Sequence, residues 1–195
     1  HNATSLWGSA AECSGSYTAT STCNGNGNGF IAGVSNEPDS VGADYTEQLR
    51  AWQHLSNAGL VQKKYTGTDA SSFTIGVNVP ESRLGKNGFT LSYTGSEIGL
   101  TGKFYSADYG HILVLGKNPS PAAVDSIAMG AGISGPDALQ IDQKMDDGKP
   151  GTGKVMAYGP VYLPICASSD EQTTATYVTS NGGQEVCSLI FITGF

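Results

Sequence analysis

The four cysteines of this 195-residue chain fall into two local pairs, and this feature constrains the fold more than any other. Cys13 and Cys23 lie near the start, and Cys166 and Cys187 lie near the end. Of the three possible connectivities, loop-closure entropy favours the two local bonds, Cys13–Cys23 and Cys166–Cys187. None of the cysteines forms a CxxC motif or has a histidine at a zinc-ligand spacing. We therefore expect two disulfides in an extracytoplasmic protein, rather than four free buried thiols.

Composition agrees with that location. Only 14% of the residues are charged and 27 are glycine, which is typical of secreted proteins built from strands and loops. The length favours one domain over residues 1–195. Within it we expect a Gly/Asn-rich segment, 1–42, tied by the first disulfide. A helix, a sheet and a C-terminal disulfide loop follow in residues 43–195.

The net charge of -7 argues against a nucleic-acid partner, because an acidic surface repels the phosphate backbone. The longest apolar stretches, 112–115 and 189–192, have the length of strands and are too short to span a bilayer. No signal peptide remains at His1. We therefore expect that the chain has been processed or trimmed at its N-terminus.

Two segments have the periodicity of helices. The first runs from about 43 to 57, with Asp44 as N-cap, Glu47 completing a capping box and Gly59 beyond its end. Its apolar residues recur at spacings of three and four: Tyr45, Leu49, Trp52 and Leu55. The second runs from about 136 to 145, with Ser134 or Gly135 as cap and Gly148 as its stop.

The remaining apolar segments are short, β-prone and bounded by glycine. They predict strands of an antiparallel sheet at 73–79, 88–93, 110–115, 155–165 and 186–192. Residues 1–42 show little apolar periodicity and predict an ordered loop, anchored by Trp7. The expected fold class is therefore α+β, with a helix packed on an antiparallel sheet.

The segment 148–154 matches the phosphate-binding loop pattern through Lys154 and then departs from it. Val155 has no hydroxyl for magnesium, and Pro150 removes one backbone donor. The order of elements is also inverted, because that loop requires a strand before it and a helix after it. We interpret the segment as a helix-to-strand turn and expect no nucleotide partner.

A second motif places Asn24, Asn26 and Asn28 at the spacing of the first ligands in a calcium-binding loop. Every expected carboxylate is an amide there, and neutral ligands bind a hard cation weakly. We prefer a turn in which Asn and Gly tolerate positive φ. No cofactor is expected, and calcium at these three residues stays as the alternative.

A third motif is the acidic group Asp142, Asp146 and Asp147 near the end of the second helix. Clustered carboxylates bind calcium or act as acid and base. Asp142 and Asp146 are four residues apart and share a helix face. We interpret the group as a solvated face, balanced by Lys144 and Lys149.

Nucleophilic catalysis has little support. The chain contains no Gly-x-Ser-x-Gly elbow. It has three histidines, His1, His54 and His111, and no feature selects one of them together with a serine. We therefore expect that the protein is not an enzyme and assign no catalytic residue.

Several segments together resemble the ectodomain of bacterial prepilin-type proteins, the type IV pilin and type II secretion pseudopilin family. They are NATSLWG (2–8), CNGNGNG (23–29), RAWQHLSNAGL (50–60), GVNVP (76–80) and IDQKMDDGKPG (141–151). The matches follow the family's order, and the pair Cys166 and Cys187 is similar to the disulfide-bounded loop of type IV pilins.

The resemblance implies a structural subunit of a cell-surface pilus or a periplasmic pseudopilus, acting by assembly and surface contact. It also implies a long hydrophobic N-terminal helix, cleaved and methylated at its start, which is absent from these residues. The implied partners are other pilin-like subunits, bound through that helix, and the assembly machinery of the inner membrane. The precursor would be anchored in the membrane.

Two other classes compete with this interpretation. One is a free secreted β-rich binding module, for carbohydrate or as a surface adhesin. The other is a secreted hydrolase, which no sequence motif supports. A hydrophobic helix encoded upstream would favour the pilin class. The sequence does not separate a pilus subunit from a pseudopilin, or a major from a minor subunit.

Overall fold

In the computed structural model, the described residues form two helices and a five-stranded antiparallel sheet. These residues are 29–31, 46–67, 73–94, 109–118, 127–158 and 166–194. The helices are α1 (Thr46–Asn57) and α2 (Gly135–Met145). The strands are β1 (Gly88–Thr94), β2 (Gly110–Gly116), β3 (Ile133–Ser134), β4 (Val155–Tyr158) and β5 (Glu185–Ile192). The predicted α+β class is confirmed at this level.

The sheet is built around its last strand. β1 pairs with β2 along its whole length, from Gly88 opposite Gly116 to Thr94 opposite Gly110. β2 then pairs with β5, which also pairs with β4 near its end and with β3 near its start. All these pairings are antiparallel, so the C-terminal strand joins the two halves of the described fold.

Both helices pack on the same face of the sheet. Leu113 contacts the cluster that includes Leu49 and Trp52 of α1, whereas Leu115 belongs to the cluster that includes Ala138 of α2. Alternate residues of a strand face the same side, so Leu113 and Leu115 point towards the helices. The intervening residues of β2 face the other side, in a cluster of Ile112, Val114, Ile127, Met129 and Ile190.

Helix α1 is buried more widely than its apolar stripe predicts. Leu49 and Trp52 are buried as expected, while Gln48, Gln53 and Ser56 are buried as well. Gln48 donates from Nε2 to Ser92 Oγ of β1 at 3.0 Å. This bond supplies a polar partner at a position that the sequence pattern assigns to solvent. Asp44 and Tyr45 lie outside the described residues.

The strand predictions at 88–93, 110–115 and 186–192 are confirmed. The strand predicted at 73–79 is wrong. Ile75 and Val79 form one isolated bridge around a turn, in which the N–H groups of Val77 and Asn78 donate to Thr74 O. Gly76 and Asn78 permit this turn, which competes with an extended strand. In the segment predicted as 155–165, the strand covers Val155–Tyr158 and residues 159–165 lie outside the described part.

Within the described residues, no helix has both the length and the apolar character needed to cross a membrane.

Candidate functional site

Among the described residues, three carboxylates lie close together where α2 ends. We call Asp142, Asp146 and Asp147 the acidic cluster, because one carboxylate oxygen from each lies within 4.8 Å of the others. The segment that follows, residues 148–154, connects α2 to β4 and is called the connecting turn. The order helix, turn, strand agrees with the prediction for this segment.

The start of α2 fixes where the cluster lies. Ser134 is the N-cap residue, with extended backbone dihedrals, and its Oγ accepts the N–H of Asp137 at 3.2 Å. The same hydroxyl donates to Asp137 Oδ2 at 2.6 Å. Pro136 lies in the first turn, where its missing N–H has no intrahelical acceptor to bind. The capping prediction is confirmed, with Ser134 rather than Gly135 as the cap.

Asp142 is fully buried, so the interpretation of the acidic group as a solvated face is wrong for this residue. Tyr177 donates its hydroxyl to Asp142 Oδ2 at 2.8 Å, and Gly148 donates its N–H to Oδ1 at 3.1 Å. Burial raises the pKa of Asp142 from 3.8 to about 6, and Asp147 and Asp146 add to the rise. The two hydrogen bonds oppose it, because they favour the ionised form.

The other two carboxylates hold the connecting turn. Asp146 Oδ2 accepts the N–H groups of Lys154 and of Val155, the latter at 3.0 Å. Asp147 accepts the N–H of Lys149 at 2.8 Å and the hydroxyl of Thr152 at 2.5 Å. Since Val155 is the first residue of β4, Asp146 links the end of α2 directly to the sheet.

This geometry explains why the segment 148–154 does not form a phosphate cradle. A phosphate-binding loop presents free backbone N–H groups to its ligand. Here the N–H groups of Gly148, Lys149 and Lys154 donate to carboxylates of the acidic cluster. Those carboxylates would also repel a phosphate.

The carboxylate oxygens of the acidic cluster are of the type that hard cations prefer. Each of the three carboxylates nevertheless accepts hydrogen bonds from the protein itself. The arrangement therefore acts as an internal hydrogen-bond acceptor that folds the connecting turn. The other predicted calcium candidates, Asn24, Asn26 and Asn28, lie outside the described residues.

The acidic cluster is also joined to the C-terminal disulfide. Cys166 and Cys187 are bonded as predicted and are both fully buried. Tyr177, which binds Asp142, lies between the two cysteines in sequence. It forms an isolated antiparallel β-bridge with Ala167, the residue after Cys166. Cys187 lies inside β5 rather than at its end, so the disulfide anchors the loop within the sheet. Cys13 and Cys23 lie outside the described residues.

His111 has a structural role. It is buried on β2, and its Nε2 accepts the backbone N–H of Ile31 at 3.1 Å. Its ring packs against Tyr93 at a centroid distance of 5.2 Å. The hydrogen bond occupies the nitrogen lone pair that a general base would use. His54 lies on α1, and His1 lies outside the described residues.

No protein-family model, curated protein or solved structure matches this chain.

Sequence analysis missed Tyr177 as the partner of Asp142. The two residues are 35 positions apart, and nothing local to Tyr177 marks it as a hydrogen-bond donor to helix α2. The sequence offers one indication of this role. Tyr177 lies between two cysteines expected to pair, which places it in a constrained loop.

Proposed function

We propose that this chain is the extracytoplasmic domain of a type IV pilin-like or pseudopilin subunit, which acts by assembly and surface contact rather than by catalysis. The observation that carries the proposal is the disulfide Cys166–Cys187, which fixes a C-terminal loop to the central strand of an antiparallel sheet. A disulfide of this kind indicates an oxidising, extracytoplasmic environment.

Three of the five segments of the resemblance lie fully within the described residues, and each forms a defined local element. Residues 50–60 form most of α1 and its C-terminal turn, where Leu60 N donates to Leu55 O at 2.9 Å. Residues 76–80 form a turn in which Val77 O accepts the N–H of Thr66. Residues 141–151 form the end of α2 and most of the connecting turn. These three segments therefore contribute to the framework of the described domain.

The acidic cluster supports the non-catalytic part of the proposal. Its carboxylates accept hydrogen bonds from the amides of the connecting turn and from Tyr177. A general acid or base must be within hydrogen-bond reach of a substrate. Asp142, whose pKa lies nearest neutrality, is buried against its own protein donors.

The finer features of the resemblance belong to the same proposal. They are a second disulfide, Cys13–Cys23, and a hydrophobic N-terminal helix encoded upstream of His1. That helix would supply the heterologous contact that polymerises subunits into an open filament.

The test compares the complete precursor with the 195-residue chain, both expressed with an epitope tag in the native host. We expect the precursor to enter surface or periplasmic filaments that immunogold labelling detects, and the 195-residue chain to stay out of them. The control is a precursor whose hydrophobic helix carries a central charged residue. The proposal fails if the precursor encodes no such helix or if the tagged precursor is never found in a filament. The free secreted binding module would then replace it.

A further inference from the structure

Two Asn–Gly dipeptides lie within the described residues, and their surroundings differ sharply. Gly88 is the first residue of β1, and Asn87 directly precedes it. Asn181–Gly182 lies in a turn before β5, inside the segment closed by Cys166–Cys187. In an Asn–Gly pair, the backbone nitrogen of glycine can attack the side-chain amide of asparagine. Glycine makes this attack easier because no Cβ hinders its nitrogen.

Asn87 is protected from this reaction. Its side chain is fully buried, and its Nδ2 donates to Gly132 O at 2.7 Å and to Leu84 O. Ring closure would require the amide to turn away from both carbonyl groups. Both hydrogen bonds would be lost in a buried site, where an unsatisfied polar group is costly.

Asn181 has none of this protection. It is partly exposed, Gly182 and Gly183 are exposed, and among the described residues no group hydrogen-bonds its side-chain amide. A Cβ placed on Gly182 or on Gly183 would meet nothing within 4 Å, so the turn has open space around it. The Gly182 N–H donates to Thr179 O at 3.4 Å, which is long for such a bond. The attacking nitrogen is therefore only weakly held.

We propose that Asn181 is a site of spontaneous modification, converted to aspartate and isoaspartate through a cyclic imide. The Gly182 nitrogen attacks Cγ of Asn181, and a new N–Cγ bond forms. The Cγ–Nδ2 bond breaks, and ammonia leaves with the proton of the attacking amide. Water then opens the ring at either carbonyl, and it supplies the hydroxyl of the new carboxyl group and the proton of the restored amide.

The product changes the disulfide loop locally. It adds one negative charge to a chain whose net charge is -7. In the isoaspartate form the backbone also gains one carbon atom. The modified residue lies between Cys166 and Cys187, which hold the two ends of the loop. This modification does not depend on filament assembly.

A third pair, Asp147–Gly148, could reach the same cyclic imide from an aspartate, and it is also protected. Gly148 N donates to Asp142 Oδ1 at 3.1 Å, so the attacking nitrogen is bound to a buried carboxylate. The Asp147 carboxylate accepts two hydrogen bonds from the connecting turn. This pair serves as an internal control for isoaspartate formation.

The test incubates the intact, oxidised chain in mildly alkaline buffer and follows each asparagine by peptide mass spectrometry. Isoaspartate is distinguished by its resistance to a protease that cleaves before aspartate. We expect Asn181 to react at least about tenfold faster than Asn87, because the latter must first lose two hydrogen bonds. Peptides covering the Asn–Gly pairs at 24–29 are quantified separately.

Variants decide whether the local geometry is responsible. Gly182→Ala should slow the reaction about tenfold or more by crowding the attacking nitrogen. Gly182 has a φ of 59°, so alanine at this position strains the turn. Asn181→Gln avoids that strain, and its longer side chain forms a cyclic imide only slowly. Gly183→Ala is the matched control and should leave the rate unchanged. The proposal is overturned if Asn87 reacts as fast as Asn181, or if Gly182→Ala and Asn181→Gln react at the wild-type rate.

Discussion

Among the described residues, Asp142 is one whose protonation should couple strongly to folding. Burial raises its pKa to about 6, so the folded protein binds a proton more tightly than the unfolded chain does. Its contribution to stability is then fully present below about pH 4 and is lost as the pH rises through 6. The shift corresponds to about 2–3 kcal/mol across that window.

Asp142→Asn isolates this effect, because the amide does not titrate. We expect the free energy of unfolding of the wild type, measured relative to the variant, to increase by about 2–3 kcal/mol as the pH falls from 7 to 4. Urea unfolding at a series of pH values measures it. A difference that is constant with pH, or that shrinks as the pH falls, would contradict the raised pKa of Asp142 in the folded protein.

The hydroxyl of Tyr177 provides a second test at the residue scale. Removing it in Tyr177→Phe leaves Asp142 with one donor instead of two, and the lost bond is to a charged acceptor. We expect a cost of about 1.5–3 kcal/mol at neutral pH, measured by urea unfolding.

Thr152→Val is the matched control, since it removes a hydroxyl bound to Asp147 in an exposed position. We expect it to cost less than about 0.5 kcal/mol, as surface substitutions do. Equal costs for the two variants would contradict the assigned burial of the Tyr177–Asp142 pair.

At the scale of the elements, the fit between strand β2 and the segment before β3 depends on Gly116. A Cβ at this position would lie 2.2 Å from Ala128 O and 2.7 Å from Gly130 O. Both atoms belong to the backbone, which cannot move away as a side chain can. The neighbouring Lys117 exchanges both backbone hydrogen bonds with Gly130, which holds the two segments close together.

Gly116→Ala should therefore destabilise the protein by about 3 kcal/mol or more, because overpacking here displaces the main chain. Thermal unfolding measures the effect. Gly183→Ala is the control, because its Cβ meets nothing within 4 Å, and it should change stability by less than about 0.5 kcal/mol. If Gly116→Ala unfolded at the wild-type temperature, the close approach of these segments would be wrong.

At the scale of the whole molecule, the disulfide joins the C-terminal loop to the strand that connects both halves of the described sheet. It closes a segment with a sequence separation of 21, for which the chain-entropy model gives about 3 kcal/mol. The loop also contacts α2 through the hydrogen bond from the Tyr177 hydroxyl to Asp142.

The double variant Cys166→Ala/Cys187→Ala should lose about 3–5 kcal/mol of stability, through lost cross-linking and lost packing of two buried sulfur atoms. Calorimetry of the double variant and of both single variants measures this. Each single substitution already breaks the disulfide. The double variant should therefore be less stable than either single variant by no more than the packing free energy of one side chain. A double variant as stable as the wild type would contradict the assigned role of the disulfide.

The sequence by itself determined the features that depend on neighbouring residues. Ser134 and Pro136 mark the start of α2 through local capping and fixed φ, and the β-prone runs at 88–93 and 110–115 form strands. The Cys166–Cys187 bond follows from the low cost of closing a short loop.

Only the tertiary structure decided the features that depend on distant residues. Asp142 is buried rather than solvated because Tyr177, which is 35 positions away, covers and binds it. Such a contact forms only when distant parts of the chain meet, so periodicity and spacing do not predict it.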